Sequence, residues 1–242
     1  MKLQDQIVIV TGGGSGAGAA IVATCVAEGA QVVAMGRDVA KLEAACAAAG
    51  EGAHAEAGDV RDRARIKEIV AGTIDRFGRI DILVNNAGVN IADRSLEKLT
   101  PQDWDLVMDV NATGAYNTVH EVLPQMRKQG SGLVLAVSSM AGMGPSVLGG
   151  VVYSAAKHAM SVLTKMVDLE EAKNGISSCV ISPGEINTPI RDQRPVKVSD
   201  EHKARMLQPE DIAAAVLFVA TLPQRVVIPE MVIKPLGQGS VS

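Results

Sequence analysis

Aromatic side chains are almost missing from this chain: its 242 residues include one tryptophan, two tyrosines and two phenylalanines. A core without rings must be built from aliphatic side chains, and 47% of the sequence is apolar. Ala, Val, Ile, Leu and Met in that proportion suit a parallel sheet covered by helices, and the length suits one domain of that kind. Cysteine is scarce too. Cys25, Cys46 and Cys179 are odd in number and widely spaced, which argues against a disulfide framework and suggests a reducing compartment. His54, His120, His158 and His202 show no metal-ligand spacing with one another or with the cysteines, so no metal is expected. Positive charge is not in excess. The formal net charge is −4, which argues against nucleic acid as a partner. No run reaches the ~18 apolar residues of a membrane span. The opening MKLQDQIVIVTGG meets a glycine turn too early for a secretory leader. These absences point to a soluble cytoplasmic protein with no membrane partner.

Short apolar runs alternate with longer segments of helical spacing. The runs are 6–10, 31–35, 53–57, 80–85, 132–138, 177–182 and 226–233, and all but the third are rich in Val, Ile or Leu. Between them, 16–28, 39–49, 62–77, 101–128 and 153–173 read as helices. Pro101 follows Thr100, a plausible N-cap, and Gly130 follows the last turn of that helix. Strand and helix alternating this often predicts a single α/β domain over 1–242, a doubly wound parallel sheet (the Rossmann arrangement) of about seven strands with helices on both faces. The polar, proline-bracketed stretch 188–206 fits neither pattern. It reads either as a substrate loop or short helix over the active edge of the sheet, or as a solvated surface loop.

TGGGSGAG (11–18) follows the first strand and opens the first helix. Glycine permits positive φ and removes the Cβ that would keep a pyrophosphate at a distance. The helix N-terminus adds free N–H groups and a positive dipole end. The glycines Gly12, Gly16 and Gly18 are therefore candidates for a dinucleotide-phosphate turn. At the end of the second strand stands MGRD (35–38). A carboxylate there would suit a free ribose 2′-hydroxyl and an arginine a 2′-phosphate. Arg37 thus favours NADP, with NAD as the alternative, while Asp38 reads as the N-cap of the next helix.

NNAG (85–88) ends the fourth strand, NATG (111–114) lies inside the long helix, and YSAAK (153–157) starts the next. Together with the glycine turn, these motifs closely resemble the short-chain dehydrogenase/reductase family, from the first strand to SPGEINTP (182–189). The resemblance implies hydride transfer between a nicotinamide cofactor and a secondary alcohol or ketone. By position it implies that Ser139, Tyr153, Lys157 and Asn111 are catalytic. On the cofactor side it implies Gly12, Ser15, Gly16, Gly18, Asp59 with Val60, Asn85, Ala87 and Gly88, Tyr153 and Lys157, and Pro183, Gly184, Ile186 and Thr188. The stretch 209–238 is similar to the branch of NADP-dependent 3-hydroxy acid dehydrogenases and broad carbonyl reductases, and lacks the glycine-rich ending of other members. Family members often pair the long helices across a two-fold axis, so a homodimer or homotetramer is expected.

The chemistry accounts for these residue types. A free tyrosine has a pKa of about 10, too high for an efficient base near neutrality. An ammonium nearby lowers it, and positions i and i+4 share a helix face, so Lys157 is expected to activate Tyr153. The resemblance adds that Lys157 bonds the nicotinamide ribose, that Ser139 holds the substrate oxygen, and that Asn111, by side chain or backbone distortion, holds a proton-relaying water. Ser139 and Tyr153 stand one residue further apart than is usual in the family, the extra residue lying in MGPSVLGG (143–150), with Ser138 as the alternative substrate-facing serine. Met140, Met143, Val147, Leu148 and Val151, with Asn90 and Ile91 opposite, are the expected pocket walls. Arg191 and Arg194 either grip a substrate carboxylate or face solvent. Alternative functions are a 3-oxoacyl thioester (acyl-carrier-protein) reductase and a non-catalytic cofactor-binding sensor.

Overall fold

The computed structural model describes residues 1–193 and 199–238. Seven parallel strands form one sheet in the order β3-β2-β1-β4-β5-β6-β7. They are β1 (Ile7–Thr11), β2 (Gln31–Gly36), β3 (Ala53–Ala57), β4 (Ile82–Asn85), β5 (Gly132–Val137), β6 (Ile176–Pro183) and β7 (Glu230–Ile233). The intervening helices are α1 (Gly16–Ala27), α2 (Val39–Ala49), α3 (Arg63–Phe77), α4 (Pro101–Met108), α5 (Gly114–Gln129), α6 (Val151–Glu171), α7 (Asp200–Arg205) and α8 (Pro209–Ala220).

Strand alternation sorts the core into two layers. Val8, Val10, Val32, Ala34 and Val84 pack with Ile21 and Val22 of α1, Leu42 of α2 and Val216 of α8. Ile9, Val33, Met35, Leu83 and Val134 face the other way, onto Ile69 of α3, Val122 of α5 and Val167 of α6. Because the side-chain period of a strand is two, neighbouring valines serve opposite layers, as a sheet buried on both faces requires. Helix starts are fixed locally. Asp38, Asp62 and Thr100 each accept an N–H in the first turn of α2, α3 and α4, worth about 1 kcal/mol apiece.

Two expectations change. The helix anticipated over 101–128 is interrupted: Asp109–Thr113 forms a π-turn between α4 and α5, with Asn111 at its centre. The last strand, anticipated over 226–233, is shortened to Glu230–Ile233. Pro229 has no N–H for a ladder, and Val226 instead turns back to donate to the Pro223 carbonyl. Segment 188–206 contains a 3₁₀ turn at Pro189–Gln193 and the short helix α7.

The strand order reverses between β1 and β4, and the chain leaves both strands at the same edge. A crevice therefore opens outside their C-terminal ends, the usual ligand position in a doubly wound sheet.

Candidate active site

Thr11 and Asn86 join the two turns at this crevice. The Thr11 hydroxyl oxygen accepts the backbone N–H groups of Asn86 and Ala87, both at 3.0 Å. The Asn86 side chain donates to the Thr11 carbonyl at 3.0 Å. Gly12 and Gly16 take φ of +69° and +52°, a left-handed conformation that glycine adopts without penalty. A Cβ on Gly18 would lie 2.0 Å from the Gly12 carbonyl oxygen, so no larger residue fits beneath the turn. Ser15 precedes α1 in an extended conformation and makes no side-chain capping bond. The first N–H groups of α1 are thus left for an anion. This backbone cradle fits a pyrophosphate.

From the cradle runs a cleft of about 720 Å³. Gly12, Ser15, Gly16 and Gly18 line it at the first turn, and Arg37, Asp59 and Val60 line it beside β2 and β3. Ala87, Gly88, Tyr153, Lys157, Ile186 and Thr188 line the other end. Pro183 and Gly184 lie in the adjoining cleft instead. Asn85 is not in the lining: as the last residue of β4 it turns under α5, accepting from the Thr118 hydroxyl at 2.6 Å and donating to the Ala115 carbonyl. Its neighbour Asn86 faces the cleft in its place. Asp59 is held bidentately by Arg61 at 2.7–3.1 Å. That contact keeps its carboxyl below the usual range, with Arg37 adding a smaller pull. Arg37 is exposed and makes no side-chain hydrogen bond or ion pair among the described residues. Asp38 is occupied by capping α2 and pairing with Lys41 at 2.9 Å.

At the junction of the two clefts stand Ser139, Tyr153 and Lys157. Ser139 begins a 3₁₀ turn after β5, and its hydroxyl oxygen accepts the Ala141 N–H at 3.1 Å. Ser138 points elsewhere: it is buried, 2.8 Å from the Ser161 hydroxyl, and donates to the Lys157 carbonyl. Ser139 is therefore the serine beside Tyr153. Burial pushes the Tyr153 phenol up to about 12, while the Ser139 hydroxyl and then the Arg94 charge pull it back in part. This departs from the expected activation by Lys157. The two side chains do share a face of α6, but the Lys157 ammonium turns to the Val137 carbonyl at 2.9 Å and stands 5.8 Å from the centre of the Tyr153 ring. Burial also lowers Lys157 itself to about 8. Desolvation thus outweighs the i, i+4 attraction when no further charge is present.

Asn111 is fully buried and braces the segment after β4. Its side chain accepts the Val89 N–H at 2.7 Å and donates to the Val89 carbonyl at 2.9 Å. Both ends of the Asn111 amide are thus engaged with Val89. A Cβ on Gly88 would sit 3.4 Å from the Asn111 carboxamide oxygen and 3.6 Å from the Lys157 ammonium, so these two groups lie on either side of one position of the cleft wall.

The adjoining cleft has a volume of about 410 Å³ and reaches Ser139 and Tyr153. Met140, Val147, Leu148 and Asn90 line it as anticipated. Met143, Val151 and Ile91 do not. Met143 is half exposed, Val151 opens α6, and Ile91 is buried against Val107 and Val152. Arg191 lines the cleft, hydrogen-bonded to the Asn187 side chain, whereas Arg194 lies outside the described residues. Sequence reasoning missed Arg94 and Glu185, which also line it. The cleft is therefore more charged than its apolar segments suggest.

The family model described as short chain dehydrogenase matches residues 6–198. A protein of Staphylococcus saprophyticus, described as an uncharacterised oxidoreductase, is 32% identical over 98% of this chain and 100% of its own. Among solved structures, the closed form of a serine dehydrogenase complexed with NADP⁺ superposes with a TM-score of 0.89 at 30% identity, covering 98% of both chains. A 3-ketoacyl-(acyl-carrier-protein) reductase from Brucella melitensis complexed with NADH gives 0.89 at 26% identity, over 97% of this chain and 98% of its own.

Proposed function

The chain belongs to the short-chain dehydrogenase family of oxidoreductases, and from that premise we propose that it is an NADP-dependent enzyme interconverting a secondary alcohol and its ketone, with a 3-hydroxy acid or a small hydrophobic carbonyl as substrate. One observation carries the reading: Tyr153 lines both clefts, between Lys157 on the cofactor side and Ser139 on the substrate side.

When bound, the nicotinamide supplies or accepts the hydride. Gly12, Ser15, Gly16 and Gly18 would hold the pyrophosphate, Lys157 the nicotinamide ribose, and Thr188 with Ile186 the carboxamide end. Arg37 would meet a 2′-phosphate, since its guanidinium is exposed and the neighbouring carboxylates, Asp38 and Asp59, are engaged by Lys41 and Arg61. Ser139 orients the substrate oxygen and steadies its developing charge. The Tyr153 hydroxyl gives that oxygen a proton in reduction, becoming phenolate, and the phenolate takes one back in oxidation. Burial favours its protonated form, the state needed for reduction. Acting as a base requires added positive charge, which Lys157 is placed to provide once it leaves the Val137 carbonyl. Asn111 acts on Lys157 by fixing the π-turn beside it.

The 3-hydroxy acid class is supported by the C-terminal resemblance and by the serine dehydrogenase likeness, serine being itself a 3-hydroxy acid, one whose alcohol is primary and gives an aldehyde in place of a ketone. The Brucella likeness favours a second reading, a 3-oxoacyl thioester reductase. To separate them, reduction of NADP⁺ is followed with serine and other 3-hydroxy acids, and oxidation of NADPH with 3-oxoacyl thioesters. Turnover of the free acids supports the first reading. Turnover confined to thioesters overturns it.

A further inference from the structure

Arg94 lies between β4 and α4 and is only 7% exposed. Burying a guanidinium is expensive unless its contacts are well made, so those contacts define its role. One terminal nitrogen donates to the Leu148 carbonyl at 2.9 Å, on the bend between β5 and α6. The other donates to the Gln193 carbonyl, at the end of the 3₁₀ turn that follows β6. A single side chain thereby spans two walls of the substrate cleft. The bend is shaped to receive it. Gly150 has a φ of +82°, and a Cβ there would fall 2.5 Å from the Arg94 Cβ. Asn90 adds a second tie, donating to the Gly149 carbonyl at 3.0 Å. The extra residue between Ser139 and Tyr153 is thus contained in a pinned bend.

Tyr153 lines the same cleft as this strap, together with Ser139 from the end of β5, Arg94 from the β4–α4 segment, and Glu185 and Arg191 from the chain after β6, while Lys157 from its own helix stands 5.8 Å from the centre of its ring. Lys157 is turned to Val137. Arg94, in the lining of the same cleft, bears a charge that pulls the phenol down, after burial and Ser139.

We propose that Arg94 is a positioning residue that straps the two walls of the substrate cleft together and sets how readily Tyr153 releases its proton. Its catalytic meaning rests on the oxidoreductase reading above, but its test does not need turnover. The chain has two tyrosines, Tyr116 and Tyr153, so replacing both with 3-fluorotyrosine gives two fluorine resonances. Fluorination also lowers the phenol pKa, bringing the transition closer to neutrality. Tyr116→Phe identifies the Tyr153 signal. Arg94→Gln is expected to raise the Tyr153 midpoint by about one pH unit, Arg94→Lys to restore most of that shift, and the Tyr116 midpoint to stay fixed. An unmoved Tyr153 midpoint in Arg94→Gln overturns the proposal, as does a lysine variant shifted as far as the glutamine one. Should Arg94→Gln fail to fold, Arg94→Lys alone decides: a midpoint within a few tenths of a unit of wild type supports the proposal, and a full-unit rise overturns it. Failure of the oxidoreductase reading shows separately, as absence of turnover in wild type.

Discussion

At the scale of single residues, the site is governed by competition between desolvation and charge. Tyr153 and Lys157 sit in one pocket, and burial drives each towards its neutral form. Arg37 is the opposite case, an exposed cation at the cleft edge. If it meets a 2′-phosphate, Arg37→Ala removes one charge-assisted contact worth about 1.5–3 kcal/mol. NADPH affinity should then fall roughly 10- to 100-fold while NADH affinity stays level, as measured by titrating cofactor fluorescence. Equal losses for both cofactors would remove that role from Arg37. The residues at the centre of the site were legible because their types recur at short, helix-defined spacings: Tyr153 and Lys157 through i, i+4, and the glycines through the turn they must make. Arg94 was not legible, because its position in the cleft depends on carbonyls 54 and 99 residues away in sequence. Asn85 and Asn86 could have been told apart. Strand alternation places successive side chains on opposite faces, so only one of the pair can reach the cleft.

At the scale of elements, the helices do more than cover the sheet. The π-turn at 109–113 moves Asn111 against the segment after β4. In sequence its only sign was an asparagine in mid-helix, a poor helix former, because one inserted residue barely disturbs an apolar repeat. Helices α5 and α6 are tied by Arg127 and Glu171, whose carboxylate lies 2.5 Å from the guanidinium. Glu171 is held at about 2, below its ordinary 4.5, chiefly by the Arg127 bond. A depressed folded-state pKa contributes stability above the unfolded value, which is lost as pH falls through the folded one. The Glu171→Gln variant should therefore be less stable than wild type near neutrality and converge with it towards pH 2. Thermal melts across that range check this. A constant difference down to pH 2 would show that the ion pair is not the source.

At the scale of the whole molecule, the order of strands brings the chemistry together. The turns after β1 and β4 meet because the sheet reverses direction of winding between them, and α6 then carries Tyr153 and Lys157 across the end of β5. This architecture was readable from alternating runs and helical segments. The extent of β7 was overestimated, since the apolar run outweighed the missing N–H of Pro229 within it. On its outer face α6 exposes Val162, Met166 and Leu169. We propose that this stripe pairs copies of the chain as a homodimer or homotetramer. Light scattering checks it, and a monomer at micromolar concentration would refute it.

The most direct measurement compares wild type with Tyr153→Phe in two assays on the same preparations, NADPH binding and hydride transfer with a 3-hydroxy acid that wild type turns over. The account predicts NADPH affinity within a few-fold of wild type and a rate reduced at least 100-fold, since on this account the phenol carries the proton and the backbone cradle most of the cofactor's contacts. A phenylalanine variant that keeps most of its rate would contradict it, because the proton would then have another source.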